Sequence, residues 1–290
     1  MDELYACMRV EKIVCRSMGL RPTYRPVSEW MNAMQLLHLN GSARPGCSGQ
    51  DRYGSHTRRL GARFMQRWRA RRPHDRWVHR DVGQHPPAPV TGRWIHAAFT
   101  PLQAREPWMH EVLAESDALV DELIGSDLIV AAVPMYNFGV PAQVKAWIDN
   151  VVRVGRTFGF DRSRPGEPYW PLLAGMDKRL VLLGARGDYG YDPGGRIAHL
   201  NLVERGMSVP MQYIGIETVA SIAVEYDEFA DHRLAASIAA AEREVDALVD
   251  AMTDAIDEDT AQQGDDTPAY ATRAVLPAQP DVVAASPPCR

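Results

Sequence analysis

Six apolar residues in a row, Leu128 to Val133, stand between Asp127 and Pro134. A run with no polar side fits a strand covered on both faces, and its shortness and β-branched content favour strand over helix. Pro134 ends it by withholding an N–H donor. The chain then turns through Met135-Tyr-Asn-Phe-Gly139 and enters a segment with Val144, Trp147, Ile148, Val151 and Val152 at helical spacing. Pro141 stands at the helix start, where a missing N–H does no harm. A buried parallel strand feeding a helix through a turn with an amide and two rings is the arrangement in which open α/β sheets bind flat ligands.

The remaining pattern extends that unit. Strand-like segments at 34–40, 76–81, 178–184 and 218–224 alternate with helix-like segments at 55–70, 111–125 and 234–252. Such alternation predicts a doubly wound α/β domain, with five parallel strands in the order 2-1-3-4-5 and helices on both faces. That is the flavodoxin-like arrangement. Residues 83–107, rich in proline, read as a long irregular connection. The core is expected to span 34–256. Residues 1–33 read as an extension outside it or a spurious upstream start, and 257–290, rich in Asp, Gln, Ala and Pro, as a disordered tail.

In a sheet of this order the ligand loops follow strands one, three and four. The first runs from Asn40 to Thr57 and offers the hydroxyls of Ser42, Ser55 and Thr57 at the head of a helix, where free N–H groups and a positive dipole end suit a phosphate. It contains neither a nucleotide-triphosphatase loop nor a Gly-x-Gly-x-x-Gly turn. The second is Pro134 to Phe138. The third, Gly184 to Gly195, has glycines at 187, 190, 194 and 195, which let backbone amides approach a ligand closely.

The run Pro-Met-Tyr-Asn-Phe-Gly-x-Pro-x-Gln-x-Lys-x-x-Ile-Asp from Pro134, continuing to Phe160, resembles the FMN-dependent NADH azoreductases and quinone reductases, and a looser likeness extends from Met34 to Met252. The resemblance implies bound FMN, with NADH or NADPH as electron donor. Two electrons pass to a quinone or azo acceptor in a ping-pong cycle, and no protein nucleophile or general base is needed. It implies that Ser42, Ser55, His56 and Thr57 bind the phosphate, that Met135, Tyr136, Asn137 and Phe138 hold the isoalloxazine, and that Ala185, Arg186, Gly187 and Asp188 line its other side. Phe158, Phe160, Tyr169 and Trp170 are expected to wall the acceptor pocket, and a homodimer is the implied assembly. Two positions depart from the family, which often has serine at Ala185 and glycine at Asp188, and an insertion containing Cys47 lengthens the first loop. A non-enzymatic flavodoxin-like electron carrier or flavin-binding regulator is the rival from another class.

Composition narrows the partners. A net charge of −5 gives no general attraction to nucleic acid or anionic membrane. The four cysteines have no metal-ligand spacing and do not read as a disulfide framework, so a reducing, cytoplasmic setting is expected. No apolar run is long enough to span a bilayer. Arginines crowd residues 58–80, and a solvated helix face explains them better than a nucleic-acid patch. His74, His79 and His85 lack the tight spacing of a metal site.

Overall fold

The computed structural model describes residues 33–265. Its frame is a five-stranded parallel sheet built from β1 (Gln35–Asn40), β2 (Arg76–Asp81), β3 (Leu128–Pro134), β6 (Arg179–Ala185) and β7 (Glu217–Val224). The order is β2-β1-β3-β6-β7, which is 2-1-3-4-5 when only the sheet's own strands are counted. All seven residues of β3 are buried, as an uninterrupted apolar strand at the sheet centre must be.

Alternate residues of each strand serve opposite faces. Leu37, Leu39, Ile129, Ala131, Leu180 and Leu182 join α3 (Pro107–Gly125), α4 (Ala142–Val151) and α5 (Val203–Ile214) in one core cluster. Leu36, Leu128, Val130, Val181 and Leu183 join α1 (His56–Arg71) and α6 (His232–Asp265) in the other, through Leu60, Phe64, Trp68, Val245 and Val249. Each fully buried aliphatic side chain contributes about 1.5–3 kcal/mol, so the sheet is held from both sides.

The connection at 83–107 is more ordered than its composition suggests. It contains α2 (Gly92–Phe99), with Thr91 capping the Trp94 amide at 3.2 Å, and a 3-10 turn over Leu102–Ala104. Ala97 and Ala98 pack on Met109 and Leu113 of α3, which gives this segment a small core of its own. Helix α5 was not read from the pattern because Pro210 lies inside it. A proline mid-helix ordinarily signals a break, but here Met207, Met211 and Ile214 are fully buried on either side of it and hold the helix to the sheet. The segment around 158–170 forms a two-stranded hairpin, β4 (Phe158–Phe160) with β5 (Tyr169–Pro171).

The last helix runs to Asp265, past residue 256 where the sequence pattern places the end of the core. Residues 1–32 of the expected extension and 266–290 of the expected tail lie outside the described residues.

Four arginines of α1 face α6. Arg59 meets Glu242 at 2.7 Å, Arg63 meets Asp246 at 2.6 Å, Arg67 meets Asp250 at 2.6 Å, and Arg71 meets Asp254 one turn on. Arg72 reaches Asp257 at 3.0 Å. The two helices thus carry complementary charges at the same four-residue interval, and the basic row is neutralised within the fold. Among the described residues no helix is long and apolar enough to cross a membrane.

Candidate active site

Four loops leave the carboxyl edge of the sheet and enclose a cleft of about 230 Å³. Ser42, Arg44, Ser55 and His56 come from the β1 side, and Pro134, Met135 and Tyr136 from the end of β3. Ala185, Arg186 and Gly187 come from the end of β6, and Asp227 and Glu228 from the end of β7. Eight of the twelve expected cofactor residues therefore line one cleft. Thr57, Asn137, Phe138 and Asp188 stand behind it or at its edge.

The β1 side ends at the head of α1. Ser55 is the N-cap, and its Oγ accepts from the Arg58 amide at 3.4 Å and bonds Thr57 Oγ1 at 2.9 Å. The Arg59 amide donates to the Ser55 carbonyl at 3.1 Å. The amides of His56 and Thr57 are left without an acceptor among the described residues, as the first turn of a helix requires unless a ligand or water supplies one. Arg58 fixes this loop from below. Its Nη2 donates to the Ser42 carbonyl at 2.8 Å, its Nε to the Arg44 carbonyl at 2.6 Å, and its Nη1 to Asp81 at 2.6 Å. Burial alone would raise the Asp81 carboxyl, but the Arg58 hydrogen bonds and charge bring it below the usual carboxylate range.

The Cys47 insertion is a compact turn. Ser55 N donates to the Gly46 carbonyl at 2.7 Å, and Asp51 receives the Cys47 amide at 2.8 Å. Gly54 is required there, since a Cβ would stand 2.1 Å from the Cys47 carbonyl oxygen. Burial and the neighbouring Asp51 push the Cys47 thiol up, which opposes thiolate formation. A second cleft of about 280 Å³ lies behind the insertion between Cys47, Arg59, Arg63 and Glu242, away from the strand ends.

At the end of β3 the chain reverses within two residues. Tyr136 N donates to the Gly139 carbonyl at 3.0 Å, and Gly139 N donates to the Tyr136 carbonyl at 3.1 Å. Asn137 and Phe138 hold φ of 48° and 70°. Two left-handed residues in succession make a type I′ turn, and a phenylalanine in that region costs on the order of 1–3 kcal/mol, a strain that collects at functional sites. Tyr136 leans across the cleft, its hydroxyl accepting from the Ala43 amide at 3.2 Å. Phe138 is half exposed at the rim.

Beyond β6, the Arg186 guanidinium turns away from the cleft into an acidic nest of Asp192 at 2.7 Å, Glu225 at 3.0 Å and Glu204. Its side chain organises the loop. Asp188 is likewise engaged elsewhere, accepting from Arg196 at 2.6 Å and from the Tyr189 amide at 2.8 Å. Glu225 accepts the amides of Gly190 and Tyr191, each at 3.0 Å, and so orders the glycine-rich turn.

None of Phe158, Phe160, Tyr169 and Trp170 borders the cleft. Phe158 is part of the core, Phe160 stacks on Tyr169 at 4.7 Å, and Trp170 covers Gly159 and lies under Arg164 at 4.4 Å. With Tyr213, 5.3 Å from Phe158, they form an aromatic surface around the hairpin, and Tyr169 and Tyr213 are partly exposed.

Sequence reasoning missed Arg44, Arg58, Asp227 and Glu228. The acidic pair lies three and four residues past the last strand, so a check of that strand end, beside the three other loops, would have found it.

A family model described as flavodoxin-like fold matches residues 34–249. The FMN-dependent NADH:quinone oxidoreductase 2 of Idiomarina loihiensis is 37% identical over 218 residues, 75% of this chain and 90% of that one. The FMN-dependent NADH:quinone oxidoreductase of Opitutus terrae is 40% identical over 219 residues, covering 74% and 96%. Among solved structures, an azoreductase from Bacillus anthracis superposes with a TM-score of 0.64 over 74% of this chain and 98% of that one, at 20% identity, which speaks for the fold alone.

Proposed function

The chain belongs to the flavodoxin-like family of FMN-dependent NADH:quinone oxidoreductases, and from that premise we propose that its cleft holds FMN with the phosphate at the head of α1 and the ring against the β3 and β6 turns. The observation that carries this placement is the pair of first-turn amides, His56 and Thr57, left without acceptors beside the hydroxyls of Ser42, Ser55 and Thr57. This donor set matches a phosphate monoester, which presents only acceptors.

FMN held there would supply the two-electron chemistry between NADH and a quinone or an azo compound, and the protein's share is placement. Met135 and Tyr136 offer the ring a flat apolar bed. Asn137 and Phe138, fixed by the I′ turn, hold the outer edge of that bed, and the Gly187 backbone closes the other side. A single cleft used by donor and acceptor in turn gives ping-pong kinetics.

The half-exposed Phe138, Tyr169 and Tyr213 suit a homodimer in which the hairpin aromatics of one subunit complete the acceptor pocket of the other. In that arrangement Phe160, Tyr169 and Trp170 keep a substrate role without bordering their own cleft. Cys47, a free thiol, fits a reducing cytoplasm.

The test is the visible spectrum of the purified protein reconstituted with FMN. NADH added without oxygen should bleach the yellow band within seconds, and benzoquinone should restore it. A protein that binds no flavin, or whose flavin NADH leaves untouched, contradicts the reading.

A further inference from the structure

The phosphate end of the cleft already contains an anion. Asp227, on the loop after β7, reaches across to the β1 side and accepts from His56 Nε2 at 3.0 Å, with Arg44 Nη1 3.7 Å from its other oxygen. The second ring nitrogen of His56 is taken by Ser48 Oγ at 2.8 Å. The His56 ring and the Arg44 guanidinium border this end of the cleft, and Asp227 faces both. The remaining arginine there, Arg186, is enclosed by its three carboxylates.

We propose that Asp227 is a built-in competitor for the flavin phosphate, a carboxylate that pairs with His56 and Arg44 in the flavin-free protein and must give them up when FMN binds. The inference rests on the reading of this cleft as the FMN site. The His56 hydrogen bond, opposed by partial burial and helped by the Arg44 charge, brings the Asp227 carboxyl below its ordinary range, so it is ionised at neutral pH. A phosphate dianion brought beside it meets like charge in a partly desolvated site. FMN entry is then an exchange of one anion for another. The contact ties the β7 loop to the head of α1, 171 residues apart in sequence, so it steadies the flavin-free protein while lowering its affinity for the phosphorylated cofactor. Riboflavin, which has no phosphate, is indifferent to it. Asp227 is in this sense a specificity residue that acts against FMN relative to riboflavin.

The experiment compares FMN and riboflavin binding, by quenching of flavin fluorescence, in the full-length wild type and in Asp227→Asn. The account expects Asp227→Asn to bind FMN about tenfold more tightly, while its riboflavin affinity stays within about twofold of wild type. The flavin-free variant should also melt at a lower temperature. Asp227→Ser gives the same ordering and serves if the amide does not fold. FMN affinity that is unchanged or weaker in both variants overturns the inference alone, and assigns Asp227 to supporting His56. A wild-type protein that binds neither flavin overturns the reading of the cleft, and the inference with it.

Discussion

The two ends of helix α1 make opposite uses of polar groups. At the amino end, Ser55, His56 and Thr57 present amides and hydroxyls that the chain does not fully satisfy. Over the next four turns, Arg59, Arg63, Arg67 and Arg71 are each matched by an acid of α6. The first end is built for a guest and the second for the fold. Polarity alone does not mark a binding site; what marks it is polar capacity left over after the chain's own partners are counted. Arg58, between the two, belongs to the first end by its contacts and to the second by its composition.

That boundary can be broken at Arg58. Replacement by alanine strands Asp81 and two loop carbonyls, so it should cost about 3–5 kcal/mol in urea unfolding and weaken FMN binding by roughly a hundredfold. If FMN affinity survives, Arg58 serves the fold and not the site.

His38 of β1 lies beneath the middle of α1. Its Nδ1 is 3.3 Å from His79 Nδ1, while Nε2 is buried without a partner against Gly61. Burial, then the His79 and Arg58 charges, lower it from 6.5 to about 3. The unfolded chain therefore takes up a proton that the folded chain refuses. Stability is intact above the unfolded value of 6.5 and falls as pH drops toward 3. At about pH 4.5 the loss attributable to His38 should reach about 2–3 kcal/mol, and His38→Leu should flatten that part of the stability profile. A profile that keeps its slope in the variant places the titration elsewhere.

Ser55→Ala removes the cap and a phosphate donor together. The expected effects are about 1 kcal/mol of lost stability and about tenfold weaker FMN binding. Arg63→Asp sharpens the contrast with the smallest effect. It should lower the melting temperature by about 2–4 °C, leave FMN binding unchanged, and be reversed by adding Asp246→Arg.

Much of this was legible because the physics was local. The apolar run 128–133 could only be central, the strand spacing gave the sheet order, and the hydroxyls of Ser42 and Ser55 pointed to residues that line the cleft. Pro210 and the prolines flanking α2 hid two helices, since tertiary packing overrode a local signal there. Arg58 was lost in a run of arginines, and the ion pairs of Arg186 and Asp188 were out of reach, because a sequence does not say which carboxylate a guanidinium will meet. Asp227 lies 171 residues from His56, and only the folded sheet brings the two together.

The placement of the phosphate is tested most directly by the backbone amides themselves. In nitrogen–proton correlation spectra, saturation with FMN should move the His56 and Thr57 amide signals more than any others on the β1 side, and riboflavin should leave both nearly in place. Equal shifts with the two flavins, or shifts concentrated around Arg59 and Arg63 behind the Cys47 turn, would contradict the account.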